Sequence, residues 1–265
     1  MRLVDAVVLG ITEGLTEYLP VSSTGHLILV GNRLGLTGDG AKAFEIVIQL
    51  GAIFAVVVLY WRLLAERVLG LLKRDPHAIR LGTALLAGFV PTAVLGLAVG
   101  KIIKRYLFAP VPVACAFAVG GIAMIALERM LAGKEAPKQT LEDVQPIDGL
   151  WVGIAQCFSL IPGTSRSMAT ILGGRLRGLS SAVAAEFSFL LALPTLGAAT
   201  LYEGYKERAA LATIGAAPIA VGLVVSFVVA VAVVAGFVRY LKRGGLTPFG
   251  IYRLLLAAYV LFIGF

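Results

Sequence analysis

The sequence has few charged residues, few cysteines and few histidines. Charged residues make up 14% of the 265 positions, hydrophobic residues make up 59%, and the mean hydropathy is +0.93. A soluble domain has about 25% charged residues, so the composition excludes an ordinary soluble domain and predicts a polytopic integral membrane protein. The two cysteines, Cys115 and Cys157, lie in apolar surroundings, which favours buried small side chains over a disulfide or metal pair.

The formal net charge of +8 does not indicate a nucleic-acid partner. The basic residues fall in short loops between apolar runs, as membrane topology requires. A cleavable signal peptide is not expected at the N-terminus, because Asp5, Glu13 and Glu17 interrupt the apolar run and no small-residue cleavage site follows. We therefore expect membrane lipids, and no nucleic acid, around this chain.

Long apolar runs predict the transmembrane helices, each of which needs about 20 residues. Six such spans are predicted at 43–61, 82–100, 110–131, 181–202, 212–238 and 248–265. Two further apolar segments, about 1–33 and 148–175, are interrupted by Pro20 and Pro162 and by the polar residues that follow. Each half is too short to cross, and non-helical backbone is tolerated at membrane depth only inside protein or a water-filled cavity. We expect two re-entrant helical hairpins.

The two broken segments resemble each other. Gly10-Ile11-x-Glu13 matches Gly153-Ile154-x-Gln156, and Pro20-x-Ser22-Ser23 matches Pro162-x-Thr164-Ser165 with one residue dropped. The predicted fold is thus an all-α polytopic membrane protein, a single domain over 1–265 made of two repeats, 1–143 and 144–265. Each repeat has one hairpin and three spans. Because three is odd, the repeats are inverted, and such repeats place their site at the midplane where the broken elements meet.

Loop charges predict the orientation. One side carries the basic residues of the 62–80 loop, the 239–247 loop and the linker at 132–148, together with Arg129, Arg175 and Arg177. The other side carries Arg2, Arg33, Lys42, Lys101, Lys104, Arg105, Lys206 and Arg208. The richer side is cytoplasmic by the positive-inside rule. Both termini and the mouth of the first hairpin are then expected to face outward.

The first broken segment carries the groups best suited to chemistry. Glu13 and Glu17 are four residues apart and share a helix face. Three hydroxyls follow, Ser22, Ser23 and Thr24, and then His26. Ionisable groups at membrane depth are expensive and mark functional sites by default. A charge network that merely holds the two halves together is the alternative, but it leaves the hydroxyls and the histidine unexplained.

The second broken segment adds Arg166, whose planar fork suits bidentate phosphate binding. Facing tips with free N–H groups and hydroxyls would bind a diphosphate. His26 suits acid–base work or nucleophilic attack, and a helix beginning at Ser23 would bring the two residues together. Glu17 would orient His26 or remove a proton itself, and Glu13 with Glu17 could hold a divalent cation. Residue spacing does not choose among these roles.

These residues carry a family resemblance. The run from Glu13 to His26, EGLTEYLPVSSTGH, resembles the glutamate-rich motif of the undecaprenyl-diphosphate phosphatase family, also called the bacitracin-resistance family. The run from Pro162 to Thr170, PGTSRSMAT, resembles its second motif. Length, span number and motif separation agree over the whole chain. Met168 departs from the glycine expected in many members, beyond the Ser-Arg-Ser core.

The resemblance implies an enzyme of the bacterial inner membrane with two re-entrant hairpins and an inverted repeat, and the loop charges predict that its active site opens to the periplasmic face. It would hydrolyse undecaprenyl diphosphate to the monophosphate, recycling the lipid carrier of peptidoglycan synthesis, with Mg²⁺ or Ca²⁺ as cofactor. The matching positions imply catalytic roles for Glu13, Glu17, Ser23 and His26; the metal-ligand role of Glu13 and Glu17 is predicted from their carboxylates alone. Diphosphate binding falls to Arg166, Ser22, Thr24, Ser165, Ser167 and Thr170.

Several choices stay open. Ser23 or His26 is the nucleophile, and we favour Ser23 with His26 and Glu17 handling the proton. A polyprenyl-phosphate flippase is the alternative function, because inverted repeats with broken helices are common in transporters. Phosphatases with a paired-histidine site fit less well, because a second catalytic histidine is missing. The metal, a homodimeric state, the prenyl chain length and the roles of Glu45 and Glu186 are not determined.

Overall fold

A computed structural model describes residues 1–107 and 109–263; the side chains of residues 101, 104, 105, 110 and 263 also fall outside the described part. Within these ranges there is no β-strand, and the β-type pairing is an isolated bridge between Lys138 and Leu179. The helices are α1 (Leu3–Thr16), α2 (Ser23–Arg33), α3 (Asp39–Leu59), α4 (Trp61–Leu72), α5 (Pro76–Tyr106), α6 (Pro110–Leu131), α7 (Pro146–Cys157), α8 (Arg166–Leu176), α9 (Ser181–Lys206), α10 (Arg208–Ala212), α11 (Ala216–Leu241) and α12 (Thr247–Ile263). Short 3₁₀ turns lie at Leu141–Asp143 and Phe158–Leu160.

Five helices are long and apolar enough to cross a membrane, namely α3, α5, α6, α9 and α11. They confirm five of the six predicted spans and make the chain a multi-pass membrane protein. The predicted span at 248–265 corresponds to α12, an apolar helix of 17 residues whose last two predicted positions lie outside the described residues.

Several predicted span boundaries differ from the helix bounds, and one predicted loop contains a helix; two of the boundary differences have a clear local cause. Helix α5 begins at Pro76, not 82, because the Asp75 side chain accepts a hydrogen bond from the N–H of Ala78 (2.9 Å) and Pro76 is preorganised for the first turn. Helix α11 begins at 216, not 212, because Gly215 has a left-handed φ of 89°. The 62–80 segment contains the amphipathic helix α4, whose apolar residues Trp61, Leu69 and Leu72 are exposed, as in an interfacial helix.

Both broken segments are broken where the sequence predicts. Helix α1 ends at Thr16 and α2 starts at Ser23, while α7 ends at Cys157 and α8 starts at Arg166. Ser22 and Ser165, the residues preceding α2 and α8, have similar left-handed φ values of 72° and 76°. The longest of these half-segments has 14 residues, or about 21 Å at 1.5 Å per residue, which is less than the roughly 30 Å hydrocarbon core.

Glycines let each broken segment pack against a long helix of the other half. Helix α1 packs on α11, and α7 packs on α5. A Cβ at Gly14 would lie 2.7 Å from the Ser226 carbonyl oxygen, and a Cβ at Gly10 would lie 2.9 Å from that of Gly222. Gly149 and Gly153 of α7 approach the backbone of α5 at Ala84 and Gly88 just as closely. Small residues four apart on both partners are typical of close helix contacts in lipid.

The linker between the halves is ordered around one buried carboxylate. Asp148 is fully buried and pairs with Arg177 (3.0 Å) and with Lys138. Backbone hydrogen bonds also join Lys138 to Gly178 and Ser180. Earlier in the linker, N–H groups of Thr140 and Gln139 donate to Asp143 and lower the pKa of that carboxyl group. The linker acids thus have structural partners.

The glycine contacts generate a stability prediction. Gly14→Leu should lower the free energy of unfolding by about 1–3 kcal/mol, since added atoms force the α1–α11 backbones apart. Gly236→Leu, on α11 with open space around its Cβ position, is the matched control and should be neutral or slightly stabilising, because leucine favours helix. Thermal unfolding in detergent measures both; equal shifts would contradict the packing argument.

Candidate active site

The tips of the two broken segments touch each other. The hydroxyl of Ser167, in the first turn of α8, donates to the carbonyl oxygen of Leu19 in the first tip (2.8 Å). Arg166 of the second segment reaches Glu17 of the first, with 2.9 Å between Nη2 and Oε1. Groups 149 positions apart in sequence therefore form one site.

Glu17 is the centre of this site. Its side chain is 5% exposed, its Oε1 accepts from Arg166, and its Oε2 accepts from the Ser23 hydroxyl at 2.5 Å. A carboxylate that accepts a hydroxyl hydrogen bond is placed to take the proton when the oxygen becomes a nucleophile. The Arg166 cation balances the charge of Glu17, which the buried position would otherwise make costly.

Arg166 is held from several sides. Its Nη1 donates to both the carbonyl oxygen and the hydroxyl of Ser188, at 3.0 Å each, and its guanidinium carbon lies 5.5 Å from the centre of the Tyr18 ring. The hydroxyls of Thr170 and Ser188 are 2.6 Å apart. Among the described residues, the buried Nε–H of Arg166 has no partner. That donor is available to an anion, and the rest of the guanidinium is fixed in place.

Glu13 is fully buried one helical turn before Glu17. Neither of its carboxylate oxygens has a hydrogen-bond partner among the described residues. Glu45 lies within electrostatic reach of Glu13, and Glu186 lies within electrostatic reach of Tyr60 and Lys242. Within the described part of the chain, no three histidine, cysteine or acidic side chains cluster as a ready-made metal site.

The remaining predicted phosphate ligands have different positions. Ser165 caps α8 through a bond from the N–H of Met168 (3.2 Å), and its hydroxyl lies 3.0 Å from that of Ser167. The Thr170 hydroxyl also donates to the Arg166 carbonyl oxygen (2.9 Å). Ser22 is buried and Thr24 half-buried at the start of α2. Ser165, Ser167 and Thr170 thus shape the second tip and support Arg166.

His26 is not where its spacing from Ser23 suggests. Its Nδ1 lies 2.7 Å from the Ser22 carbonyl oxygen, and its Nε2 lies 2.6 Å from the Tyr252 hydroxyl. Both ring nitrogens therefore have partners, and the expected contact with Ser23 does not occur among the described residues. Glu17 binds Ser23 instead. Of the two roles considered for Glu17, orienting His26 has no direct contact behind it, because the two oxygens of Glu17 face Ser23 and Arg166; removing a proton itself stays a prediction.

Known protein families show what this chain is related to. A family model described as "Bacitracin resistance protein BacA" matches residues 6–259. The chain belongs to the BacA family. This confirms the resemblance carried by the two motifs.

The BacA family includes curated relatives that match nearly the full length of this chain. A protein named undecaprenyl-diphosphatase from Sorangium cellulosum is 55% identical over 264 residues, covering 98% of this chain and 85% of that protein. Undecaprenyl-diphosphatase 2 from Rhodospirillum rubrum is 49% identical, and an undecaprenyl-diphosphatase from Variovorax paradoxus is 47% identical, each match covering 98% of this chain and 94% of the relative.

Arg253 on α12 is the main site residue that the sequence reasoning missed in this BacA-family chain. It is fully buried and donates only to backbone carbonyls: Pro20 of the first tip (3.3 Å), Gly163 of the second (2.8 Å), and Ala116 (2.9 Å) and Phe117 (3.3 Å) of α6. One guanidinium therefore ties both tips to α6. An arginine in the middle of an apolar run was the available signal. Ser188 and Tyr252, which contact Arg166 and His26, carried no such signal.

Arg253→Met should destabilise the chain by several kcal/mol, because each buried acceptor left unmet costs about 1–3 kcal/mol. Arg253→Lys should recover only part of the loss, since an ammonium group cannot span four carbonyls on three elements. Thermal unfolding in detergent is the measurement. Arg33→Met, at an exposed arginine that donates to the Tyr259 hydroxyl, is the control; a similarly small change at Arg253 would refute the bracing role.

Proposed function

We propose that this chain hydrolyses undecaprenyl diphosphate to undecaprenyl phosphate and inorganic phosphate. This reaction recycles the lipid carrier for cell-wall synthesis and confers resistance to bacitracin. The observation that carries the proposal is the Glu17 carboxylate, which binds the Ser23 hydroxyl on one oxygen and Arg166 on the other, at the contact of two polar tips. The names of the relatives support the same substrate.

In the first step, Ser23 Oγ attacks the terminal phosphorus while its proton passes to Glu17 Oε2. The Oγ–P bond forms and the bridging P–O bond breaks, so that the polyprenyl monophosphate leaves. Water then hydrolyses the phosphoserine, releasing inorganic phosphate and restoring the serine. Arg166 stabilises the charge on the phosphoryl oxygens, its Nε–H being the free donor. His26 takes no proton from Ser23 in this scheme, because its nitrogens face Ser22 and Tyr252.

A divalent cation, Mg²⁺ or Ca²⁺, fits the residues present. The two unpartnered, buried oxygens of Glu13 and the neighbouring Glu17 are hard ligands of the type such ions take. Mg²⁺ in particular binds one or two carboxylates together with substrate phosphates, and Glu13 and Glu17 supply two carboxylates one helical turn apart. When bound, the cation would neutralise charge on the diphosphate.

The membrane arrangement is proposed as six spans and two re-entrant hairpins. Helix α12 is the sixth span, since 17 residues lie at the lower end of the crossing range. The helix contacts support two inverted repeats, 1–143 and 144–265. Helix α1 of the first repeat packs on α11 of the second repeat, and the corresponding helix α7 of the second repeat packs on α5 of the first. Within these repeats Ser22 corresponds to Ser165, because both have similar left-handed φ angles. The sequence match instead pairs Ser23 with Ser165, one position later. Ser23 then corresponds to Arg166, and both bind Glu17.

A flippase of polyprenyl phosphate is not favoured. Its support was architectural, since broken helices in inverted repeats are shared with transporters. Transport requires no serine hydroxyl bound to a carboxylate, whereas phosphoryl transfer does use one. The relatives are also named as diphosphatases.

The activity prediction is phosphate release from a long-chain polyprenyl diphosphate by purified protein in detergent, with Mg²⁺ or Ca²⁺ present and lost on chelation. No release under these conditions would refute the enzyme function. Ser23→Ala and Glu17→Gln should each lose at least about 100-fold in kcat, since nucleophile and base are removed.

The matched control for these variants is Ser180→Ala, which removes an N-cap at the start of α9, away from the tips, and should leave kcat unchanged. Arg166→Lys tests the phosphate contact separately. It should lose most of the activity, because a point charge cannot replace the fixed planar fork. Full activity in Arg166→Lys would contradict the assigned role of the guanidinium.

The inner membrane is the proposed location, with the active site open to the periplasmic face. The excess of Lys and Arg on the side of α4 and the linker supports this orientation. In a background with Cys115 and Cys157 replaced, Lys206→Cys should react with a membrane-impermeant thiol reagent applied to spheroplasts, and Lys73→Cys should react only after lysis. The reverse pattern would invert the assignment.

A further inference from the structure

The surroundings of His26 define its tautomer. Its Nδ1 lies 2.7 Å from the carbonyl oxygen of Ser22, and that same oxygen accepts the backbone N–H of His26 at 3.3 Å. A carbonyl can only accept, so Nδ1 carries a proton. In the neutral ring Nε2 is then the acceptor, and the Tyr252 hydroxyl donates to it at 2.6 Å. No lone pair of the ring faces the Glu17–Ser23–Arg166 cluster.

The ring is also held in orientation. His26 and Tyr252 lie nearly parallel, with 5.7 Å between ring centres and 6° between planes, and Phe117 of α6 approaches edge-on at 6.3 Å. Gly25 makes room for Phe117, because a Cβ there would collide with that ring. Helices α2, α6 and α12 therefore hold the imidazole in one position.

His26 affects the site through its hydrogen bond to the Ser22 carbonyl oxygen. Ser22 has a left-handed φ of 72°, a conformation that costs a non-glycine residue free energy and needs support from its surroundings. The next residue is Ser23, whose hydroxyl must stay 2.5 Å from Glu17. A hydrogen bond that fixes the Ser22–Ser23 peptide group therefore fixes the direction of the Ser23 side chain.

We propose that His26 is a positioning residue, which holds the Ser22 carbonyl through Nδ1–H, and that Tyr252 fixes the tautomer that makes this possible. Tyr252 is thereby a further residue of the site, acting through His26 and not on the substrate. The inference rests on the proposed phosphatase function, because it assigns how Ser23 is oriented for attack. It differs from acid–base catalysis by His26, in which Nε2 would exchange a proton with reacting atoms.

Two amide substitutions distinguish these roles. The side-chain nitrogen of asparagine falls near Nδ1 of histidine, and that of glutamine near Nε2. We expect His26→Asn to keep kcat within about threefold, because the side-chain donor to Ser22 remains. His26→Gln should lose about 3- to 10-fold, the cost of one neutral hydrogen bond, because the Ser22 carbonyl then keeps only the backbone N–H of residue 26. If both variants lose 10²–10⁴-fold alike, His26 is a proton carrier and the proposal is overturned.

Tyr252→Phe tests the second half of the proposal. It should lower kcat about 3- to 10-fold, the loss expected for one neutral hydrogen bond, with little change in KM. Its effect should largely vanish in the His26→Asn background, because the two act in series. Tyr259→Phe, which removes the hydroxyl that pairs with Arg33 on the same two helices, is the control and should leave kcat unchanged. Additive effects of Tyr252→Phe and His26→Asn would overturn the series arrangement.

The tautomer of His26, measured by NMR without any enzymatic turnover, tests this inference separately from the proposed function. His26 and His77 are the two histidines of the chain, so ¹⁵N-histidine labelling with a His77→Gln variant assigns the signals. The Nδ1–H tautomer is expected in the intact protein and a shift toward Nε2–H in Tyr252→Phe. An Nε2–H tautomer in the intact protein would refute the proposal, whether or not phosphate is released. Absence of phosphate release with the Nδ1–H tautomer present would refute the function alone.

Discussion

The pairing of Glu17 with Arg166 is the interaction on which the site depends. A lone carboxylate or guanidinium in an apolar interior is costly, and each of these side chains is less than 10% exposed. The pair can form only if the tips of both broken segments meet. Pairing the two buried charges therefore requires the tips to be in contact. The Ser23 hydroxyl is then brought to the second oxygen of the same carboxylate, which links the proposed nucleophile to the proposed phosphate ligand Arg166.

Backbone proximity makes that meeting possible. Glycines four residues apart on α1 and α7 let these short helices lie against α11 and α5, and dispersion contacts replace the hydrophobic driving force that lipid does not provide. Arg253 then satisfies carbonyl groups of both tips, at Pro20 and Gly163, which lie outside the helices. Protein groups therefore satisfy the carbonyls of Leu19 and Pro20 in the first tip and of Gly163 in the second.

The role of the broken segments depends on where their non-helical residues place the first turns of α2 and α8. The left-handed residues Ser22 and Ser165 direct the first turns of α2 and α8 toward Glu17. In the proposed repeat, Ser23 and Arg166 occupy corresponding positions, with a nucleophile in one copy and an anion ligand in the other. Near-symmetric backbones thus carry different chemistry, because side chains can diverge while the packing that holds the tips is retained.

The sequence by itself determined the membrane class, five of the spans, the two interruptions, the family, and the residues Glu17, Ser23 and Arg166 as members of one site. Composition, apolar run length and proline position are local properties, and a motif is read along the chain. The tertiary structure alone decided partners: Glu17 with Ser23 rather than His26, His26 with Tyr252 226 positions away, and Arg253 across both tips. The physical reason is that a hydrogen bond requires two groups within about 3 Å in the right direction, and spacing along a broken helix does not define which side chains of other helices come that close.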